Sequence, residues 1–171
     1  MPTDPSSLDW PRHLGNLWTA GIPLAGAMGV EIRRLDEHLL EIAAPLAPNR
    51  NHMGTAFGGS LQGLATLAGW GATLIATGDP DTHHVVIRDA QMRFLAPVSG
   101  ELVATAVRPS PGAVAAFHGT LAERGRARLT VPVTIQGPGD TVAARFVGEF
   151  VAFGSDSAAT RPVPTSPSAP A

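Results

Sequence analysis

The longest uncharged stretch of the chain runs from Gly54 to Gly78 and is rich in small apolar residues. Its apolar positions fall on more than one side of a helix, as in helices enclosed by protein or lipid. A membrane span needs about 20 predominantly apolar residues, and this stretch contains seven glycines and several polar side chains. We therefore predict a helix from Gly58 to Thr77 that is wrapped by protein.

Strand patterns flank this helix. The clearest is RLTVPVTI, in which every second residue from Leu129 to Ile135 is apolar and lies on one face. Breaks such as PVSG, PSPG, ERGR and GPGD are typical of turns. Two strands are predicted within 27–46, on either side of the turn RRLDEH. The other predicted strands are 84–95, 101–108, 113–123 followed by 126–135, and 141–153.

One long helix followed by a series of strands favours an α+β fold with an antiparallel sheet. No β-α-β rhythm is present, which disfavours a doubly wound sheet. Glycines at 63, 69 and 71 indicate that another backbone comes close to the helix, as when a sheet curls round it. Plain packing glycines are the compatible alternative.

The two ends have different patterns from the body. Leu8 to Ala20 has the apolar spacing of a short amphipathic helix, whereas 155–171 is rich in Pro, Ala, Ser and Thr and is expected to be disordered. We expect an N-terminal extension at 1–20, a single domain at 21–154, and a tail at 155–171.

Composition excludes several classes of function. The 171 residues suffice for one domain with a core. All 12 basic residues are Arg and the net charge is -2, which disfavours nucleic-acid binding. Zero cysteines exclude disulfides, thiolate metal sites and a cysteine nucleophile. The first 13 residues lack the pattern of a secretory signal, so we expect a cytoplasmic protein.

Other candidate motifs are weak. FGGSL places Gly58 and Ser60 as in a nucleophile elbow but has Gln62 where the second glycine is needed. GTAFGGS has no Lys and is not a phosphate loop. His83 and His84 are adjacent and would lie on opposite strand faces, and His118 stands alone in a predicted strand. We expect no metal and no cofactor.

The start of the predicted helix is a better candidate. Free backbone N–H groups and the positive end of the helix dipole are expected at Gly58 and Gly59, where they can stabilise an oxyanion. Asn49, Asn51 and His52 precede them and could hold a water molecule or a carbonyl group. The alternative is that the two Asn residues form turns and the glycines only permit a tight bend.

Two stretches resemble the YiiD C-terminal-type thioesterase family of the hotdog-fold superfamily. They are APLAPNRNHMGTAFGGSLQGLATLAGWG and VIRDAQMRFLAPVSGEL, and the resemblance covers about 22–153. It implies a hotdog fold, in which a curved antiparallel sheet wraps a long central helix and two subunits pair their sheets. It also implies hydrolysis of thioesters of coenzyme A (CoA) or acyl carrier protein by a homodimer or higher homo-oligomer.

The chain departs from the related PaaI-like group, whose loop reads Asn-x-x-Gly-x-x-His-Gly-Gly and whose helix carries a carboxylate. Phe57 stands at the position of the His, and Thr66 at that of the carboxylate. The usual base must come from elsewhere or be absent. The loop positions that do match are Asn51, Gly54, Gly58 and Gly59.

Asp89 is the best replacement for that base. Apolar neighbours predict a central strand, where an unpaired carboxylate is costly and has a raised pKa or a defined partner. Such residues cluster at functional sites. The alternative is a structural ion pair with Arg93 or Arg145. Gln91 should share the strand face of Asp89 and could orient water.

The leading hypothesis is attack of water on a thioester, with Asp89 as base, Asn51 as polarising group and the Gly59 N–H as oxyanion donor. A hotdog hydratase or dehydratase using His52, or a non-catalytic acyl-thioester-binding module, are the alternatives. Arg124, Arg126 and Arg128 are candidates for binding nucleotide or pantetheine phosphates, or else lie on a solvated hairpin turn. The residues expected to bind substrate are Asn49, His52, Phe57, Gly58, Ser60, Gln91 and Arg126.

Overall fold

The computed structural model describes residues 8–154 of the chain. Five α-helices are present in this range: α1 (Trp10–Asn16), α2 (Pro23–Met28), α3 (Leu46–Asn49), α4 (Gly58–Thr77) and α5 (Pro111–Arg124). A π-helical segment spans Leu17–Gly21 and a 3₁₀ turn spans Pro138–Asp140. The strands are β1 (Glu31–Leu35), β2 (Leu39–Ala44), β3 (His83–Phe94), β4 (Leu102–Val107), β5 (Arg126–Gln136) and β6 (Val142–Gly154).

The six strands form one antiparallel sheet in the order β1-β2-β4-β5-β6-β3, and α4 packs across five of them. The alternation predicted for β5 is confirmed, since Val131, Val133 and Ile135 are buried toward the helix. A Cβ atom on Gly69 would lie 2.6 Å from the Phe150 ring, so this glycine lets the sheet approach the helix. The predicted α+β hotdog fold is confirmed.

The bounds of α4 agree with the prediction from sequence, Gly58 to Thr77. Thirteen of its 20 residues are buried, which accounts for the absence of charge along it. No helix within residues 8–154 is long and apolar enough to cross a membrane.

One predicted strand is wrong, because residues 113–123 belong to helix α5. Ser110 caps the helix, accepting a hydrogen bond from the Ala113 N–H at 3.3 Å, and Pro111 occupies its first turn. Gly125, in the left-handed region at φ +67°, ends the helix. His118 therefore lies on a helix, where its Nε2 is 2.7 Å from the Ala76 carbonyl oxygen at the end of α4.

The N-terminal segment is helical, as predicted, and packs into the core. Leu14 and Trp18 are fully buried against the rest of the domain. The first strand begins later than expected, because Pro23 starts α2 and Gly29 ends it in the left-handed region. The expected tail at 155–171 lies outside the described residues.

Candidate active site at the start of the central helix

The loop before α4 is fixed by Asn49, which is only 1% exposed. Its Nδ2 donates hydrogen bonds of 2.8 Å to the carbonyl oxygens of Met28 and Pro45. Its own carbonyl oxygen accepts the Phe57 N–H at 2.7 Å. This geometry gives the Asn49 Nδ2 a role in holding the loop, whereas its buried Oδ1 has no hydrogen-bond partner within residues 8–154.

Asn51 shapes the next turn. Its Oδ1 accepts the N–H groups of Met53 at 2.9 Å and Thr55 at 3.2 Å, and its Nδ2 donates to Thr55 Oγ1 at 3.0 Å. Gly54 at the turn has φ +80°, a conformation that favours glycine. The Asn51 side chain is thus engaged within its own loop, which sets the approach of the chain to α4.

Helix α4 begins without a side-chain cap. Phe57 stands at the capping position, and the first intrahelical bond is from the Leu61 N–H to the Phe57 carbonyl oxygen at 3.0 Å. The N–H groups of Gly58, Gly59 and Ser60 therefore have no acceptor within residues 8–154. Three donors at the positive end of a 20-residue helix can stabilise a developing oxyanion.

Two aromatic rings flank these donors. The Phe57 ring, 56% exposed, lies against Gly59 so closely that a Cβ atom there would overlap it. The Phe94 ring lies 3.5 Å from the position of a Cβ atom on Gly58. The mouth of the site is therefore apolar and tight, and Phe57 supplies a ring with no acid–base group.

An apolar groove of about 420 Å³ starts at Gly59 and follows α4. Among the residues of 8–154 that line it, Gln62 and Thr66 are the polar aliphatic side chains and none is a carboxylate. One wall of the groove is α4, and the other is the N-terminal segment, which the sequence analysis did not predict to take part. Residues lining the groove are Ile22, Leu24, Ala25, Met28, Gly59, Gln62, Gly63, Thr66, Leu67 and Trp70.

Trp70 is the last α4 residue of the groove. Its Nε1 donates a 2.8 Å hydrogen bond to the Val85 carbonyl oxygen, which fixes the ring. Gly63 lies between Gly59 and Trp70, and a Cβ atom there would meet only Met28, at 3.6 Å. Gly63 thus keeps the groove open, whereas Gly69 and Gly71 accommodate the packed core.

The predicted environment of Asp89 is wrong. Its strand, β3, is an edge strand rather than a central one, and Asp89 is exposed. Its Oδ1 accepts the Ala90 N–H at 2.8 Å, and within the described range it has no ion pair with Arg93 or Arg145. The edge position follows from long-range pairing, which the apolar neighbours do not reveal.

Asp89 and Gln91 do share a strand face, since their partners on β6 are Glu149 and Val147, two residues apart. Both are exposed. The β3 residue beside the start of α4 is Phe94, five residues after Asp89. A single copy of the chain therefore does not bring Asp89 to Gly59. A β-bulge between Ile87 and Asp89 locally re-aims this strand.

The remaining predicted residues are spread out. His52 is exposed on the loop, and Ser60 is half-buried in the first turn of α4. Arg126 begins β5, where its partner on β6 is Phe153. Within residues 8–154 no group of three or more His, Asp or Glu side chains comes together that could hold a metal ion.

Solved structures share this architecture. A protein of unknown function from Chlorobaculum tepidum aligns with a TM-score of 0.79 and 28% identity over 84% of this chain and 93% of that one. A putative thioesterase from Shewanella oneidensis aligns with a TM-score of 0.74 and 26% identity over 85% and 98%. A thioesterase from Haemophilus influenzae, at 17% identity and a TM-score of 0.67 over 86% and 93%, supports the fold alone.

The fold and the Shewanella oneidensis neighbour define a thioesterase-like protein of the hotdog class. A family model described as putative thioesterase (YiiD C-terminal) matches residues 11–154, nearly the whole described range. The chain belongs to this family. The match includes α1, whose Leu14 is part of the core.

Proposed function

We propose that the protein hydrolyses acyl thioesters at the start of α4. The observation that carries the proposal is that three free N–H groups, at Gly58, Gly59 and Ser60, stand at the head of an apolar groove. The thioester carbonyl oxygen accepts a hydrogen bond from Gly59, and the acyl chain lies in the groove. The sulfur and its carrier point toward the mouth beside Phe57.

We propose further that a second copy completes the site. Within residues 8–154, β3 has 12 residues and pairs only with β6, and an unpaired edge of this length is a ready surface for another strand. Apolar side chains are exposed along it and on the loop before α4. Pairing of two β3 strands would cover this surface, on which lie Met53, Phe57, Ile87, Phe94 and Leu95.

Asp89 lies at the middle of the edge strand, so such pairing places its backbone at the interface, with its side chain beside Glu149 on the sheet face opposite to α4. Because no carboxylate from the described part of the chain lines the groove of one copy, we assign the general base to Asp89, acting across the interface. Asp89 takes a proton from water, which attacks the carbonyl carbon. The tetrahedral oxyanion, held by Gly59, collapses and expels the thiolate, giving a carboxylic acid and, after protonation, a free thiol.

The groove sets an upper limit on the acyl chain. Gly59 and Trp70 are 11 residues apart, or about 16 Å along a helix, and an extended alkyl chain advances roughly 1.25 Å per carbon, given bonds of about 1.5 Å. We expect the highest kcat/KM for acyl groups of about 8–12 carbons, because longer chains would meet Trp70. Thiol release from a series of acyl-CoAs measures this.

Gly63→Leu should shift the preference to acyl groups of about six carbons or fewer, because position 63 is about 6 Å beyond Gly59. Gly119→Leu is the matched control, since a Cβ atom there meets nothing within 4 Å and position 119 lies outside the groove. If the chain-length profile of Gly63→Leu is unchanged, the acyl chain does not bind in the groove.

The alternative function is a non-catalytic acyl-thioester-binding module. It is favoured by Phe57 and Thr66, which leave the groove of one copy without an acid–base group from the described residues. The same series of acyl-CoAs separates the two functions, because a binding module would bind the thioesters without releasing thiol. The hydratase alternative needs His52 as acid–base group, and this side chain is exposed and does not line the groove.

A further inference from the structure

A second cavity lies between α5 and β5, at the other end of α4 from the candidate active site. This hollow has a volume of about 690 Å³ and is open on one side. It exists because residues 113–124 form a helix beside β5 rather than a strand of a hairpin. Its lining comprises Ala113, Ala116, Phe117, Thr120, Arg124, Arg126, Ala127, Arg128 and Leu129.

Local structure places three guanidinium groups around this hollow. Arg124 belongs to the last turn of α5, and Gly125 reverses the chain into β5. Arg126 and Arg128 then project from the same face of β5, because they are two residues apart. The floor is apolar: Phe117 is buried, and the small side chains of α5 leave space above it.

The positive charge of the hollow is poorly neutralised. Arg126 has no carboxylate within 4 Å in the described part of the chain, whereas Arg124 has only its neighbour Glu123, at 3.8 Å. Arg128 is 3.8 Å from Glu149, but the same oxygen is held at 2.8 Å by Arg88. Exposed pairs at such distances contribute little, so the hollow attracts anions.

We infer that this hollow binds the 3′-phosphorylated nucleotide of coenzyme A. Guanidinium groups bind phosphate with paired hydrogen bonds, and an apolar floor suits a planar base. The volume is within the range of about 300–1,000 Å³ found for small-molecule sites. This inference rests on the proposed function and names the carrier, since a carrier protein presents phosphopantetheine without a nucleotide.

The hollow and the thioester site must be bridged by one ligand. Arg126 is in register with Phe153 and His84, whereas Gly58 adjoins Phe94 at the opposite end of β3. These ends are about 33 Å apart along the strand. Antiparallel pairing of two β3 strands sets the His84 end of one copy beside the Phe94 end of the other. The hollow of one copy therefore serves the helix start of its partner.

Two measurements test the inference, each comparing Arg126→Glu with the unmodified protein. Titration calorimetry should show 3′,5′-ADP binding that weakens at least about tenfold in the variant, as expected for lost charge-assisted hydrogen bonds. The KM for an acyl-CoA should rise by a similar factor, whereas the KM for the acyl-pantetheine, which lacks the nucleotide, should not change. Arg145→Glu, an equal charge change outside the hollow, is the control.

Equal 3′,5′-ADP affinity in Arg126→Glu and the unmodified protein, or the same rise in KM for both substrates, would overturn the nucleotide site. Hydrolysis of acyl-pantetheine with no 3′,5′-ADP binding would also overturn it and leave the proposed function intact. Loss of 3′,5′-ADP binding in Arg126→Glu, in a protein that hydrolyses no thioester, would support the nucleotide site and refute the proposed function.

Discussion

Replacing Asp89 by Asn is expected to lower kcat for acyl-CoA hydrolysis by about 10²–10⁴-fold, the usual contribution of a general base. The amide keeps the size and the hydrogen-bond acceptor of the carboxylate but cannot take a proton from water. Because Asp89 is exposed and has no ion-pair partner among the described residues, the substitution should leave the fold unchanged. Steady-state thiol release, with circular dichroism as the check on folding, measures the effect.

Asp81→Asn is the matched control, an exposed carboxylate in the turn between α4 and β3. Its kcat should equal that of the unmodified protein. A folded Asp89→Asn protein with near-normal kcat would exclude Asp89 as the base. The search would then turn to His52 and Ser60, which lie in the loop and the first turn of α4.

Removing the Gly59 N–H is expected to lower kcat by about 10²–10³-fold, the effect of losing one oxyanion donor. Proline removes the N–H group, and the first turn of a helix tolerates it because no intrahelical bond is lost there. Any side chain at position 59 meets the Phe57 ring, so the comparison is made in a Phe57→Ala background. Gly59→Pro and Gly59→Ala are then compared by kcat.

The alanine variant is the matched control, since it adds a Cβ atom and keeps the N–H. Equal kcat values for the two variants would show that the Gly59 N–H does not stabilise the transition state. Gly58→Pro applies the same test to the Gly58 N–H. The substitution fits the backbone, because the preceding residue, Phe57, is already extended (φ -69°, ψ 132°), as a residue before proline prefers. We expect a smaller loss there.

Mixing the two inactive proteins tests whether the site spans two copies. A mixed dimer of Asp89→Asn with the Gly59→Pro protein holds one site with both an intact Asp89 and an intact Gly59, provided these come from different copies. A one-to-one mixture, after exchange of subunits, should recover about a quarter of the parent activity for a two-fold symmetric dimer. No recovery would place base and donor in the same copy.

The sequence predicted the part of the fold that depends on local pattern and length. Helix α4 has no charge from Gly58 to Thr77, and only an enclosed helix tolerates that. Helix α5 was missed because the small residues of 113–123 were taken for a strand. Val114, Phe117 and Leu121 have helical spacing, and Pro111 and Gly125 are the signals that indicate its ends.

The site was less predictable, because its geometry depends on contacts between distant segments. The free N–H groups follow from the glycines at the start of a helix, which sequence shows. The sequence does not show that the Asn49 side chain donates hydrogen bonds to the carbonyl oxygens of Met28 and Pro45. Nor could the pattern around Asp89 reveal whether its strand is central or at an edge, since strand order is set by pairing along the whole sheet.

The most direct test of the thioester site is a crystal structure with a decanoyl ketone analogue of acyl-CoA, in which a methylene group replaces the sulfur. We predict that the ketone oxygen lies about 2.7–3.1 Å from the Gly59 nitrogen, with the alkyl chain in the groove and its end near Trp70. An analogue bound with its carbonyl away from the start of α4, and its chain outside the groove, would contradict this account.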